Sequence, residues 1–192
     1  PIFMAQGRLL ICTGYTSDQE LIQAMAERFD LPFQPLHEDD MFDTLEEVSA
    51  AERQRGELLL RAADEALLPF ECQAKLRRFL PADLPVLYAM SDEVQFLRQL
   101  QTAQENSSGI FSGALASMLS GVEERPLATL YLNLNSPIVR RLVTTADPEL
   151  LASMVRVLYV QALLAGGHPL RGGELKTMNQ ALLDLLEHTA GI

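Results

Sequence analysis

The sequence predicts an α+β fold, and three observations carry that expectation. Short apolar or alternating runs of strand length are interspersed with longer runs whose apolar residues recur every three or four positions. Polar start signals of the Ser/Thr-x-x-Glu and Asp-Pro kinds stand before the longer runs. The hydrophobic share, 48% of 192 residues, suffices to bury a core without disulfide or metal staples. With no Trp and few aromatics, that core must rest on Leu, Ile, Val, Met and Ala, which favours packed helices beside a short sheet.

The order of elements begins with a strand at 9–13, an apolar run with a β-branched centre. Ser17 and Glu20 have the spacing of a capping box, in which each side chain satisfies an orphaned amide at the helix start. Leu21, Ile22, Met25 and Phe29 then share one helical face. Residues 31–36 return as an edge strand, since Pro32 and Pro35 lack amide donors, and complete a β-α-β unit. Thr44 and Glu47 offer a second capping box, for a helix running to about residue 67 with Gly56 as its weak point. Pro69 interrupts it, and 70–80 is expected as another helix on Phe70, Leu76, Phe79 and Leu80. A strand at 85–90 follows, then a helix opened by Ser91 and Asp92, and a polar loop at 104–109. Residues 127–134 alternate as a strand, after which Asn135 or Ser136 caps a helix with Pro137 in its first turn. Asp147 and Pro148 repeat that start signal for a helix ending at Gly166 and Gly167, and a last helix spans 173–190.

The final two helices are the most informative. Apolar residues occupy well over half the circumference of each, and such a helix must be covered on more than one side. Either the rest of the chain covers this αα-hairpin or a second copy does, giving a four-helix bundle; the sequence leaves both open. The seam of a second copy would be drawn from Leu151, Met154, Leu158, Ala162 and Leu163 on the first helix and from Leu175, Met178, Leu182 and Leu186 on the second. Asn179, between Met178 and Leu182, is either an exposed polar residue or one that fixes helix register.

A net charge of -11 argues against nucleic acid, whose phosphates need clustered Lys and Arg. Cys12 and Cys72 stand far apart and outside any paired motif, so they read as reduced thiols of a cytoplasmic protein. The richest apolar stretch, 150–165, is interrupted by Arg156 and Gln161, and no membrane partner is expected. No nucleophile elbow, zincin motif, phosphate loop or dinucleotide fingerprint occurs, so no catalytic site is expected. The acidic group His37, Glu38, Asp39, Asp40 and Asp43 offers hard ligands, yet adjacent residues rarely converge on one ion, and a solvated loop is the better reading. His168 and His188 are lone imidazoles, and the Gly-rich stretch at 166–173 is a helix connector. Ile110, Phe111, Leu115, Met118 and Leu119 recur at helical spacing on a Ser/Gly/Ala background; they are either core or an adaptable apolar face of the kind that binds promiscuously.

The run Leu-Tyr-Leu-Asn-Leu-Asn-Ser-Pro-Ile-Val-Arg-Arg-Leu at 130–142 is similar to the strand-then-helix signature in the C-terminal domain of HtpG-type chaperones, the ninety-kilodalton heat-shock family. Leu-Tyr-Val-Gln-Ala-Leu-Leu at 158–164 resembles that family's penultimate helix, and Met178, Asn179 and Gln180 before Leu182 and Leu183 resemble its last. The three matches stand in the family's order and spacing; weaker similarity extends upstream. The resemblance implies a piece of a homodimeric, ATP-dependent stress-response chaperone that assists protein folding. Residues 1–66 would be the end of its middle domain, the β-α-β unit and a linking helix, and 67–192 its dimerisation domain. Its ATP- and Mg-binding domain would precede Pro1, leaving no cofactor here. Its partners would be a second copy and unfolded or partly folded clients, the latter met by the Met-containing helix that Ile110 to Leu119 match. The family's two-stranded hairpin is altered at 85–109, and the acidic tail of eukaryotic members is missing. The rival readings are a small cytosolic metal-dependent enzyme using the 37–43 loop and a helical adaptor protein.

Overall fold

Alternation builds the sheet. In a computed structural model of the chain, which describes residues 2–5, 7, 11, 16–32, 45–91, 94 and 128–190, Cys72, Ala74 and Leu76 alternate with Gln73, Lys75 and Arg77 along one strand. The described elements are α1 (Ile2–Ala5), α2 (Thr16–Phe29), β1 (Glu46–Glu47), α3 (Ala50–Arg55), α4 (Glu57–Leu67), a 3₁₀ turn (Leu68–Phe70), β2 (Cys72–Arg78), β3 (Val86–Ala89), β4 (Ala128–Asn133), α5 (Pro137–Val143), α6 (Pro148–Ala165) and α7 (Gly172–Ala190). The fold is α+β, with a mixed sheet in the order β1-β2-β4-β3. β4 runs parallel to β2, Leu76 beside Leu132, and antiparallel to β3, Tyr88 beside Leu130.

β4 is central and buried along its whole length because both faces of the sheet are covered. On one face Cys72, Ala74, Leu76, Val86, Tyr88, Leu130 and Leu132 join Leu59, Ala63, Leu67, Leu151, Val155 and Leu163 of α4 and α6 in the main core. Each fully buried leucine contributes roughly 1.5–3 kcal/mol relative to leaving it exposed. Ala62, Ala63 and Ala66 are the buried small residues of α4, and their size lets α6 approach closely. On the opposite face Tyr131 and Ala89 meet Ile2, Leu45 and Phe79, with Leu84 and Leu87 at the margin.

Several expectations change. Residues 70–80 form no helix: Phe70 ends the 3₁₀ turn, Glu71 takes a left-handed φ of 53°, and β2 begins at Cys72. Glu47 caps no helix either. It lies in β1, paired with Arg77, and the helix starts at Ala50 behind the capping box of Ser49 and Glu52. Gly56 does more than weaken that helix: it divides α3 from α4. Its absent Cβ leaves room for the Leu76 side chain, with which any Cβ would collide. β2 and β3 are not a hairpin pair, because β4 lies between them. One core joins Val48, Leu59 and Ala62 to Cys72 and Leu130. The strand expected at 85–90 appears as β3 and that at 127–134 as β4, and both final helices stand near their expected bounds. The strands expected at 9–13 and 31–36, apart from Ile11, Leu31 and Pro32, lie outside the described residues. On α2, Leu21, Met25 and Phe29 are exposed.

Candidate self-association site

α6 and α7 form the hairpin that carries the candidate site. Asp147 starts α6: its Oδ1 accepts from the amides of Glu149 at 3.0 Å and Leu150 at 3.1 Å, and Pro148 fits the first turn. By length and composition α6 is apolar enough to cross a bilayer. Here it packs against α4, α7 and β3.

The start of α7 is fixed by a buried carboxylate. Glu174 Oε1 accepts from the Tyr159 hydroxyl at 2.9 Å and from Arg171 Nη2 at 3.1 Å, while Oε2 accepts from the Arg171 amide at 2.8 Å. Burial of an ion costs free energy unless it is paired and hydrogen-bonded, and this one is both. Tyr159 is itself held by rings: it stacks on Phe70, centroids 5.2 Å apart, and meets Tyr88 edge-on at 5.8 Å. Further along, Ala181 is buried and Met178 packs on the main core. Ser153 of α6 donates to Asp184 at 3.4 Å. One side of α7 is thereby committed to α6.

The other side is apolar and open. Leu175, Leu182, Leu183 and Leu186 keep between 41% and 64% of their surface exposed, and Leu164 at the end of α6 keeps 56%. Leu175, Asn179, Leu182 and Leu186 follow one another at spacings of four, three and four, which aligns them on a single helical stripe. At 1.5 Å per residue the stripe is roughly 16 Å long. Asn179 is exposed within it, so the polar residue does not lie in the chain's own core.

The residues expected to form a seam therefore divide. Leu175, Leu182 and Leu186 are on the open face. Leu151, Leu158, Ala162 and Leu163 are buried in the chain's own interior, and Met154 and Met178 are half-buried against it. Those four buried residues belong to the main core, on a helix that packs against α4, α7 and β3. Leu183 and Leu164 are on the open face as well; spacing alone does not separate them from the inward leucines.

The apolar group Ile110, Phe111, Leu115, Met118 and Leu119 lies outside the described residues, as do His37, Glu38, Asp39, Asp40 and Asp43. Among the described residues no three His, Cys, Asp or Glu side chains are grouped as a metal ion would require. His168 is half-buried in the link between α6 and α7, its ring 5.2 Å from that of Tyr88, and His188 is exposed near the end of α7. No model of a known protein family matches this chain, and no curated protein matches it.

Proposed function

We propose that this chain is a self-associating part of an HtpG-type chaperone, joining two copies and presenting an apolar client surface. The observation that carries the reading is the open stripe of Leu175, Leu182 and Leu186, with Leu183 beside it, on a helix whose other side is anchored by Glu174 and Ala181. The local resemblance supports it. The run at 130–142 that resembles the family signature corresponds to β4, a turn and α5, with Asn133 buried at the strand end. The segments that resemble the penultimate and last helices fall in α6 and α7.

The energetics fit a reversible contact. A half-exposed leucine contributes roughly 1 kcal/mol on burial, and a two-fold interface counts each leucine twice. Association costs on the order of 4–15 kcal/mol in lost freedom. Clients would be met by Ile110, Phe111, Leu115, Met118 and Leu119, and hydrolysis of ATP would belong to another part of the parent protein.

Sedimentation equilibrium from about one to one hundred micromolar tests the proposal. The chain should approach twice its 21.3 kDa mass, and Leu182→Glu with Leu186→Glu should hold it at the monomer mass without lowering Tm. A monomer throughout that range defeats the reading. For the client surface, Phe111→Ser with Met118→Ser should weaken suppression of a model substrate's aggregation while leaving the melt nearly unchanged; a steep fall in Tm would place those residues in the core.

A further inference from the structure

α3, the ends of β2 and β4, and α5 enclose a groove of about 420 Å³. It is unusual in this chain because its charge runs against the whole. The sequence holds 26 Asp and Glu against 15 Lys and Arg, yet three arginines, Arg55, Arg78 and Arg140, line this one groove beside a single carboxylate, Glu52. That carboxylate is already used: it pairs with Arg78, whose Nη1 also donates to Asn135 Oδ1 at 2.8 Å. Arg78 is thus held in place, while among the described residues Arg55 and Arg140 form no ion pair. Leu134 and Val143 add apolar surface to the lining.

A simpler role for the arginines is to complement the negative ends of α3 and α5. Arg55 does so through Nε, which donates to the Ala51 carbonyl at 3.4 Å, and this leaves its terminal amino groups for the groove; Arg53 and Arg141 stand in the same last turns, but neither lines the groove. The convergence of Arg55 and Arg140 from two helices on a site where Arg78 is already fixed is what that role leaves unexplained.

We propose that this groove binds a carboxylate-rich peptide segment with an aliphatic side chain between its acidic residues. The guanidinium fork matches a carboxylate bidentately, so Arg55 and Arg140 would each take one, flanking the pair that Arg78 and Glu52 already make. The aliphatic group would lie on Leu134 and Val143. The repulsion of a net charge of -11 does not forbid this, because exposed charges farther than about 10 Å are largely screened at 0.1 M salt. A nucleic acid, which extends its phosphates well past so small a groove, would meet that repulsion along its length. The inference is independent of self-association through α7, whose exposed leucines do not line this groove.

Fluorescence anisotropy of the whole chain with a rhodamine-labelled Glu-Glu-Leu-Glu-Glu-Leu-Glu-Glu peptide tests it. The expected results are a micromolar dissociation constant at about 50 mM salt, weakening steeply as salt rises, and no binding of the peptide with Gln in place of Glu. Arg55→Glu with Arg140→Glu should loosen binding at least about tenfold, with Arg55→Gln and Arg140→Gln as the gentler pair should charge reversal prevent folding. Equal affinity for the Gln peptide, unchanged affinity in the arginine variants, or a wild-type constant weaker than about 1 mM overturns the proposal. So does displacement by inorganic phosphate at the peptide's own concentration, which would make the groove a simple anion site.

Discussion

Asn133 and Phe79 hold each other through both backbone polar groups of Phe79: its amide donates to Asn133 Oδ1 at 3.2 Å, and its carbonyl accepts from Asn133 Nδ2 at 3.0 Å. The same Nδ2 donates to the carbonyls of Leu84 at 2.9 Å and Pro81 at 3.3 Å. One fully buried side chain at the end of β4 thus does for the β2–β3 connection what a further strand would do. Asn133→Leu should be strongly destabilising, by about 2–4 kcal/mol, since each buried polar group left unpaired costs about 1–3 kcal/mol. Asn133→Asp should also destabilise at neutral pH, because a carboxylate cannot donate to three carbonyls. Urea unfolding checks both, and a midpoint close to wild type in either variant contradicts the account.

Glu52 should make the chain acid-sensitive. Its carboxyl is held down to about 2, from an ordinary 4.5, first by the Ser49 amide, then by the Arg78 guanidinium and the Ser49 hydroxyl. A group with a lowered folded-state pKa binds protons more weakly folded than unfolded. Its contribution is complete above about pH 4.5 and is lost as pH falls toward 2. The difference in urea midpoint between wild type and Glu52→Gln should be level above that window and shrink within it. A difference that stays constant to the bottom of the window would exclude the mechanism.

Gly56→Ala should destabilise, against the usual preference of helices for Ala. Gly56 is buried with a φ of -88°, which Ala adopts without strain, so the smaller unfolded-state entropy of Ala favours the change by roughly 0.4–1 kcal/mol. The new methyl, however, would occupy the place of the Leu76 side chain, and overpacking a core costs about 1–3 kcal/mol. A net loss of about 1 kcal/mol is expected in the wild-type background. In a Leu76→Ala background the obstacle is gone, and the same substitution should become neutral or stabilising. Four urea curves complete this double-mutant cycle, and an unchanged penalty in the second background would sink the idea.

How much of this was legible in the sequence depended on how local each signal is. Asp147 with Pro148 and Gly166 with Gly167 bound α6 from within a few residues, and β4 announces itself by the leucines at every second position, Leu130, Leu132 and Leu134. β2 was misread because Cys72 and Ala74 are weak apolar markers, and Phe70, Leu76 and Phe79 imitate a helical spacing when Glu71 is not known to turn left-handed. Thr44 with Glu47, the helix start expected from sequence, has the same spacing as Ser49 with Glu52, which forms it. Pairing of Glu46 with Arg78, a contact thirty-odd residues distant, gives that stretch to the sheet and leaves the helix to Ser49. The candidate site was half visible for the same reason. That α6 and α7 are apolar is written in their composition, whereas the covering of Leu151, Leu158 and Leu163 by α4 and the sheet is a long-range fact.

Asn179 offers the most selective test of what α7 does. It lies between Leu175 and Leu182 on the open stripe and is exposed, so changing it leaves the chain's own core untouched. If two α7 helices pair along that stripe, the amide is placed in an apolar seam. There a polar residue weakens association but favours the one register in which two amides can meet. Asn179→Leu should therefore tighten self-association by about tenfold, equivalent to about 1.4 kcal/mol. It should also blur the outcome, with species heavier than a dimer appearing because the register is no longer specified. Native mass spectrometry beside sedimentation equilibrium reads both effects. In a chain whose α7 stripe faces only water, the same substitution should leave mass and its concentration dependence unchanged, and that result would remove the stripe from any account of assembly.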